Sequence, residues 1–296
     1  CYMQGGLNNK KLTEGQLRFV NNLEQYLRIL DQTQDSLRNA PEDYLLGMAP
    51  HSLRAVSPES LKEILEARSS GTVHIHIAEQ LKEVEEVQTH FGARPVEWLL
   101  ENIVVDSRWC LIHATHMTQE ETQNLAKSGA VVGLCPITEA NLGDGVFDGT
   151  ELLLSGGKYG IGSDSNVRIS LTEELRLLEY SQRLVRKERN VMISKTGSVG
   201  RALYDDSLAG GAQALGRKSG SIVPGNWADL LTLDTEALTL SGCTEDEILD
   251  RWIFSGEDSL VREVWSAGRQ MVVDGQHIRH DEIERKYRSV IQEIRQ

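Results

Sequence analysis

The sequence predicts an α/β fold in which a parallel sheet comes first and a smaller antiparallel β-domain follows. Two observations predict it. Up to about residue 215, short apolar runs alternate with amphipathic stretches, the pattern of successive βα units. Beyond that point short strands lie between turn residues instead. The chain is therefore divided into a parallel α/β part, 1–216, and a small β-domain with a terminal helix, 217–296.

The elements follow in order. Leu17, Val20, Leu23, Leu27 and Leu30 recur at helical spacing, which predicts one helix over 13–34. Residues 44–50 read as a buried strand, and Ser57-Pro58 supplies an N-cap and a first-position proline for the next helix. A strand over 72–78 precedes a helix over 80–90 that Gly92 stops. A strand over 109–113 leads to a capping box at Thr118–Glu121, and further strands are predicted at 130–135 and 158–164. A helix over 171–189 completes five βα units. In the second part, strands are expected at 221–225, 229–234, 261–265 and 270–273, with a charged helix over 281–294.

Composition narrows the function classes. With 44 acidic and 31 basic side chains the formal charge is −13, so a nucleic-acid or anionic membrane surface would repel the chain. No apolar run approaches the roughly 20 residues of a membrane-spanning helix. The four cysteines, Cys1, Cys110, Cys135 and Cys243, are scattered without a CxxC spacing, as expected of a reduced, cytoplasmic protein. The first residues resemble no signal peptide, and without an initiator Met the native polypeptide is expected to begin further upstream.

Six of the eight histidines fall between His51 and His116, mostly at predicted strand ends. In a parallel α/β barrel the carboxyl ends of the strands build the active site. His76 comes near the end of one strand with Glu79 three residues on, His113 closes the next, and Asp164 closes the last. Two imidazoles and a carboxylate at strand ends suit one divalent metal such as zinc. Each has a plainer reading: a core histidine, a helix-capping Asp164, a first-turn Glu79. His74 shares the face of His76, so one of the two is expected to be structural. His90, His277 and His280 read as surface residues.

The strings His74-Ile75-His76-Ile77-Ala78-Glu79, His113-Ala114-Thr115-His116 and Gly162-Ser163-Asp164-Ser165 resemble strands five, six and eight of the amidohydrolase superfamily, a metal-dependent (β/α)8 TIM barrel. Gly220–Gly225 before Ala228-Asp229-Leu230 is similar to its small β-domain. Within the superfamily the resemblance is to the N-formimino-L-glutamate deiminases of histidine degradation. It is carried by His51-Ser52-Leu53-Arg54-Ala55, by the string from Thr138-Glu139 to Asp144-Gly145, and by Glu173-Glu174-Leu175-Arg176 to Tyr180.

The resemblance implies metal-dependent hydrolysis of formiminoglutamate to N-formyl-L-glutamate and ammonia. His76 and Asp164 would be metal ligands. Asp164, His113 and Glu79 would move protons, and His51 with Arg54 would bind the small dicarboxylate amidine substrate. A homodimer is expected. The family's strand-one His-x-His pair has no counterpart here. The chain thus resembles the later two thirds of such an enzyme, from about the fourth strand, with two histidine ligands expected upstream. The alternatives are a sister deaminase of heterocycles and an inactive fragment serving folding or assembly.

Overall fold

The computed structural model describes residues 2–7, 10–193 and 197–295, so Cys1 lies outside the described residues. The first helical stretch is not continuous. It divides into α1 (Glu14–Leu17) and α2 (Leu23–Leu37). Val20 is drawn into a parallel bridge with Met3. Asn22 then restarts the helix: its side chain accepts the Gln25 N–H at 2.8 Å, and the Gln25 side chain accepts the Asn22 N–H at 2.9 Å. Such a reciprocal cap fixes a helix start and overrides the apolar periodicity running through it.

After α3 (Pro58–Ala67), capped by Ser57, the chain alternates strand and helix. The elements are β1 (Val73–Ile77), α4 (Leu81–Phe91), α5 (Pro95–Asn102), β2 (Trp109–His113), α6 (Gln119–Ser128), β3 (Val131–Leu134), α7 (Pro136–Leu142), α8 (Gly149–Leu154), β4 (Lys158–Ile161) and α9 (Leu171–Arg186). The four strands form one parallel sheet in the order β1-β2-β3-β4.

Residues 44–50 do not form the predicted strand. They contribute single bridges, Met48 to Val73 and Pro50 to Tyr2. Proline has no N–H to donate, so the ladder breaks at Pro50. The segment still flanks the sheet, because Met48 N–H reaches Thr72 O at 2.8 Å and His76 N–H reaches His51 O at 2.9 Å. Side-chain alternation then sorts the residues. In β1, Val73, Ile75 and Ile77 are fully buried, whereas His74 and His76 lie half-buried on the opposite face. All four residues of β3 are buried.

α10 (Val199–Ala214) closes over β4, and small residues permit the contact. A Cβ at Gly210 would lie 1.9 Å from the Tyr159 carbonyl oxygen. The second part contains β5 (Leu230–Leu233), α11 (Asp246–Phe254), β6 (Val261–Ser266), β7 (Arg269–Val273), β8 (Gln276–His277) and α12 (His280–Ile294). Its strands form an antiparallel sheet in sequence order. The strand expected at 221–225 is instead a turn, where Gly225 adopts φ +95° and Asn226 N–H returns to Val223 O. Leu240, Leu249, Trp252 and Leu260 form a small second core, with Tyr204 of α10 packed against it. No helix among the described residues is long and apolar enough to cross a membrane.

Candidate active site

The parallel sheet delivers its polar side chains at the carboxyl ends of its strands. One donor atom each from His76, His113 and Asp164 lies within 4.8 Å of the others. His76 is the next-to-last residue of β1, and His113 is the last of β2. Asp164 stands three residues beyond β4, in the following loop, not at the end of the strand as the sequence predicts. Three residues at this convergence hold left-handed backbone: His113 at φ +68°, Ala114 at +49° and Asp164 at +47°. Non-glycine residues keep such angles only where surrounding contacts enforce them. The capping alternative for Asp164 fails, because Ser170 caps α9.

Each imidazole has one nitrogen committed. His76 Nδ1 meets the His51 carbonyl oxygen at 2.8 Å, and His113 Nδ1 meets Glu139 Oε1 at 3.2 Å. Both rings therefore keep Nε2 for another partner, the arrangement seen when a second partner orients a metal-ligating or proton-transferring histidine. His76 lies with its ring centroid 4.9 Å from that of His51 and 5.8 Å from that of His113. The donor set, two imidazoles and a carboxylate within reach of a common point, fits one zinc-like divalent ion.

The electrostatics differ from residue to residue. Burial pushes His51 down to about 4, helped by the charges of His76 and Arg54. Burial also lowers His76, against its bond to the His51 carbonyl. For His113 burial pulls downward too, but the hydrogen bond to Glu139 and the charges of Glu79 and Asp164 outweigh it and raise the ring. Glu79 Oε1 stands 3.7 Å from His113 Nε2. Burial raises the Glu79 carboxyl despite His113, with Asp144 and Glu83 adding to the effect. Glu79 is not in a helical turn; it precedes α4, whose cap is Gln80.

His51 and Arg54 line a cleft of about 870 Å³ beside this cluster, together with Gln80 and Lys82. Arg54 Nη2 lies 3.9 Å from Glu83 Oε2, and Glu83 is fully buried. Glu83 also accepts the backbone N–H groups of Ala78 and Glu79. His74 lies outside the site, its Nε2 2.7 Å from the Ala214 carbonyl oxygen. His116 likewise turns to the Asp144 carbonyl oxygen at 2.6 Å. His90 and His280 are exposed and His277 is partly so.

Sequence reasoning missed Glu83 and Glu139 as parts of this centre. Both are acids within the first turn after a strand–loop unit, a position equally common for surface acids near a helix dipole. Only their burial distinguishes them.

Comparison with known proteins matches residues 11–271 to the amidohydrolase family. A formimidoylglutamate deiminase of Pseudomonas aeruginosa is 48% identical over 295 residues, which is 99% of this chain and 65% of the relative. A 5-methylthioadenosine/S-adenosylhomocysteine deaminase of Pelotomaculum thermopropionicum is 28% identical over 79% of this chain and 53% of its own length. Among solved structures, an amidohydrolase from Brucella melitensis superposes with a TM-score of 0.94 at 46% identity, covering 100% of this chain and 65% of that one. An adenosine deaminase from Xanthomonas campestris with bound Zn shares the fold at a TM-score of 0.80 and 24% identity, over 93% of this chain and 63% of that one. The chain thus spans 65% of the length of the Pseudomonas and Brucella proteins that it matches.

Proposed function

Because the chain belongs to the amidohydrolase family, with that family's TIM-barrel type of α/β fold, we propose that its site serves hydrolytic deimination of N-formimino-L-glutamate. The products would be N-formyl-L-glutamate and ammonia. The observation that carries this reading is the convergence of His76, His113 and Asp164 with Glu79 alongside and the Arg54 cleft adjoining. The 48% identity to the Pseudomonas deiminase supports the choice of substrate. Residues 1–216 would form the metal-dependent part and 217–296 the small β-domain.

His76 and Asp164 would hold one zinc ion, which when bound lowers the pKa of water toward neutrality and polarises the group under attack. The remaining steps fall to this chain's own side chains. His113 Nε2, left free by the bond from Nδ1 to Glu139, would take the proton of the attacking water. A C–O bond forms at the formimino carbon as its C=N bond becomes single. Glu79, whose raised carboxyl retains its proton more readily, would protonate the departing nitrogen. As the C–N bond breaks, the added hydroxyl would pass its proton to Asp164 and become the formyl C=O, and ammonia would leave with the proton first taken by His113; transfer from Asp164 would restore Glu79. Arg54 and His51 would hold a substrate carboxylate, the arginine by charge-assisted hydrogen bonds.

The test is ammonia release by the zinc-supplemented protein extended upstream to include the His-x-His pair that the resemblance implies, with formiminoglutamate and S-adenosylhomocysteine assayed in parallel. Release from formiminoglutamate alone is expected. Release only from the nucleoside would replace the substrate, and release from neither would favour a folding or assembly role for this chain.

A further inference from the structure

β3 lies between the strands that lead to His113 and Asp164, and α7 starts directly after it at Pro136. Two consecutive side chains in the first turn of α7 reach in opposite directions. Glu139, 5% exposed, accepts the Cys135 N–H at 3.0 Å and meets His113 Nδ1 at 3.2 Å through the same oxygen, Oε1. Thr138, fully buried, donates its hydroxyl to the Ser163 carbonyl oxygen at 3.0 Å. The same hydroxyl accepts the Ser165 N–H at 3.2 Å and contacts Ser165 Oγ at 2.8 Å. Asp164, the residue between these two serines, holds φ +47°.

We infer that this turn is a positioning bracket: Glu139 fixes the tautomer and ring direction of His113, and Thr138 fixes the loop that carries Asp164. A buried carboxylate accepting from Nδ1 places the imidazole proton there and leaves the Nε2 lone pair facing Glu79 and the other donors. A threonine hydroxyl has one donor and two acceptor positions, and the three contacts with Ser163 and Ser165 use them all. That closed arrangement pins the backbone on both sides of a residue whose left-handed angle is unfavourable on its own. Thr138 and Glu139 are positioning residues, acting through Asp164 and His113. The inference deepens the deiminase reading and rests on it only for its kinetic consequence.

The test uses the 296-residue chain labelled with ¹⁵N-histidine, with His113→Gln assigning the signal. Wild type should show His113 as the Nδ1–H tautomer. Glu139→Gln, which keeps an acceptor oxygen, should retain that tautomer, and Glu139→Met should lose it. Thr138→Val should lose hydrogen-exchange protection at the Ser165 amide, with Thr138→Ser restoring it. In the protein extended upstream to include the expected His-x-His pair, assayed with formiminoglutamate and zinc, the Met and Val variants should lose about 10–100-fold in kcat at unchanged KM, the Gln and Ser variants recovering most of it. A retained Nδ1–H tautomer in a folded Glu139→Met protein overturns the bracket, as does full Ser165 protection in Thr138→Val. If the Met variant does not fold, loss of the tautomer in Glu139→Gln overturns it instead. An extended wild type that releases no ammonia refutes the deiminase reading alone, and the tautomer and exchange results on the 296-residue chain still decide the bracket.

Discussion

His74 and His76 are two residues apart, on one face of one strand, yet their surroundings are unrelated. His74 contacts the carbonyl of the last residue of α10, an end group left without an intrahelical partner. His76 faces His51, His113 and Asp164. On the proposed reading, Arg54 binds a substrate carboxylate. It stands against a buried Glu83 that already has two backbone donors, so the guanidinium can leave it at modest loss. In the intact enzyme, Arg54→Met is expected to weaken apparent affinity for formiminoglutamate at least roughly thirtyfold, since removing one partner of a desolvated charge pair costs about 2–5 kcal/mol. Zinc content should not change, and unaltered kinetics would return Arg54 to a structural role. Glu174 makes a separate prediction. Burial pushes its carboxyl up to about 7, against the Ile137 N–H that it accepts. An acid with a raised folded pKa stays protonated while the unfolded chain ionises, so stability falls as pH rises from about 4.5 to 7. Thermal melts at pH values on either side of that window should show this loss in wild type and a smaller one in Glu174→Gln.

At the scale of elements, helix starts marked by side-chain caps were legible and segments governed by neighbours were not. Ser57 and Thr118 cap α3 and α6 as predicted, because the signal is local: a hydroxyl accepting an N–H three residues ahead. The break between α1 and α2 carries an equally local signal, Asn22 with Gln25, hidden beneath an apolar periodicity that continues through it. α5 and α7 each start at a proline, Pro95 and Pro136, and were passed over because their sequences are short and mostly buried. The fit of α10 on β4 gives a sharp expectation. At Gly210 a Cβ would meet the Tyr159 carbonyl carbon at 2.4 Å as well as its oxygen, and backbone atoms cannot rotate away as a side chain can. Gly210→Ala should therefore destabilise the protein by at least the upper part of the roughly 1–3 kcal/mol that overpacking costs. An unchanged urea midpoint would contradict this packing.

At the scale of the whole molecule, a buried carboxylate ties the two parts together. Asp43 accepts Arg269 Nη1 at 2.9 Å and Arg269 Nη2 at 2.6 Å, and its carbonyl oxygen accepts Arg217 Nη1 at 2.7 Å. Arg217 continues to Asp229 Oδ1 at 2.8 Å. The network joins the segment before the parallel sheet to the antiparallel one. The hydrogen bonds from Arg269 hold the Asp43 carboxyl below its ordinary range in spite of burial. A depressed folded pKa contributes stability above the unfolded value, about 3.9, that is lost as pH falls through the folded one. Asp43→Asn should thus be less stable than wild type near neutrality and show a shallower acid limb in thermal melts between about pH 2 and 6. Equal acid limbs would exclude Asp43 as a source of the pH dependence.

The sequence by itself determined the alternation of strands and helices, the change to antiparallel structure after about residue 215, and the identity of His76, His113 and Asp164. These follow from periodicity, local caps and side-chain chemistry, which act over a few residues. The tertiary structure alone decided that Asp164 lies in a loop beyond β4, that Glu83 faces Arg54, and that Glu139 meets His113 across 26 positions of chain. Each of those depends on which strands lie side by side in the sheet. An acid in the first turn of a helix has the same local signature whether it meets water or a buried imidazole, and only the packing of its neighbours separates the two.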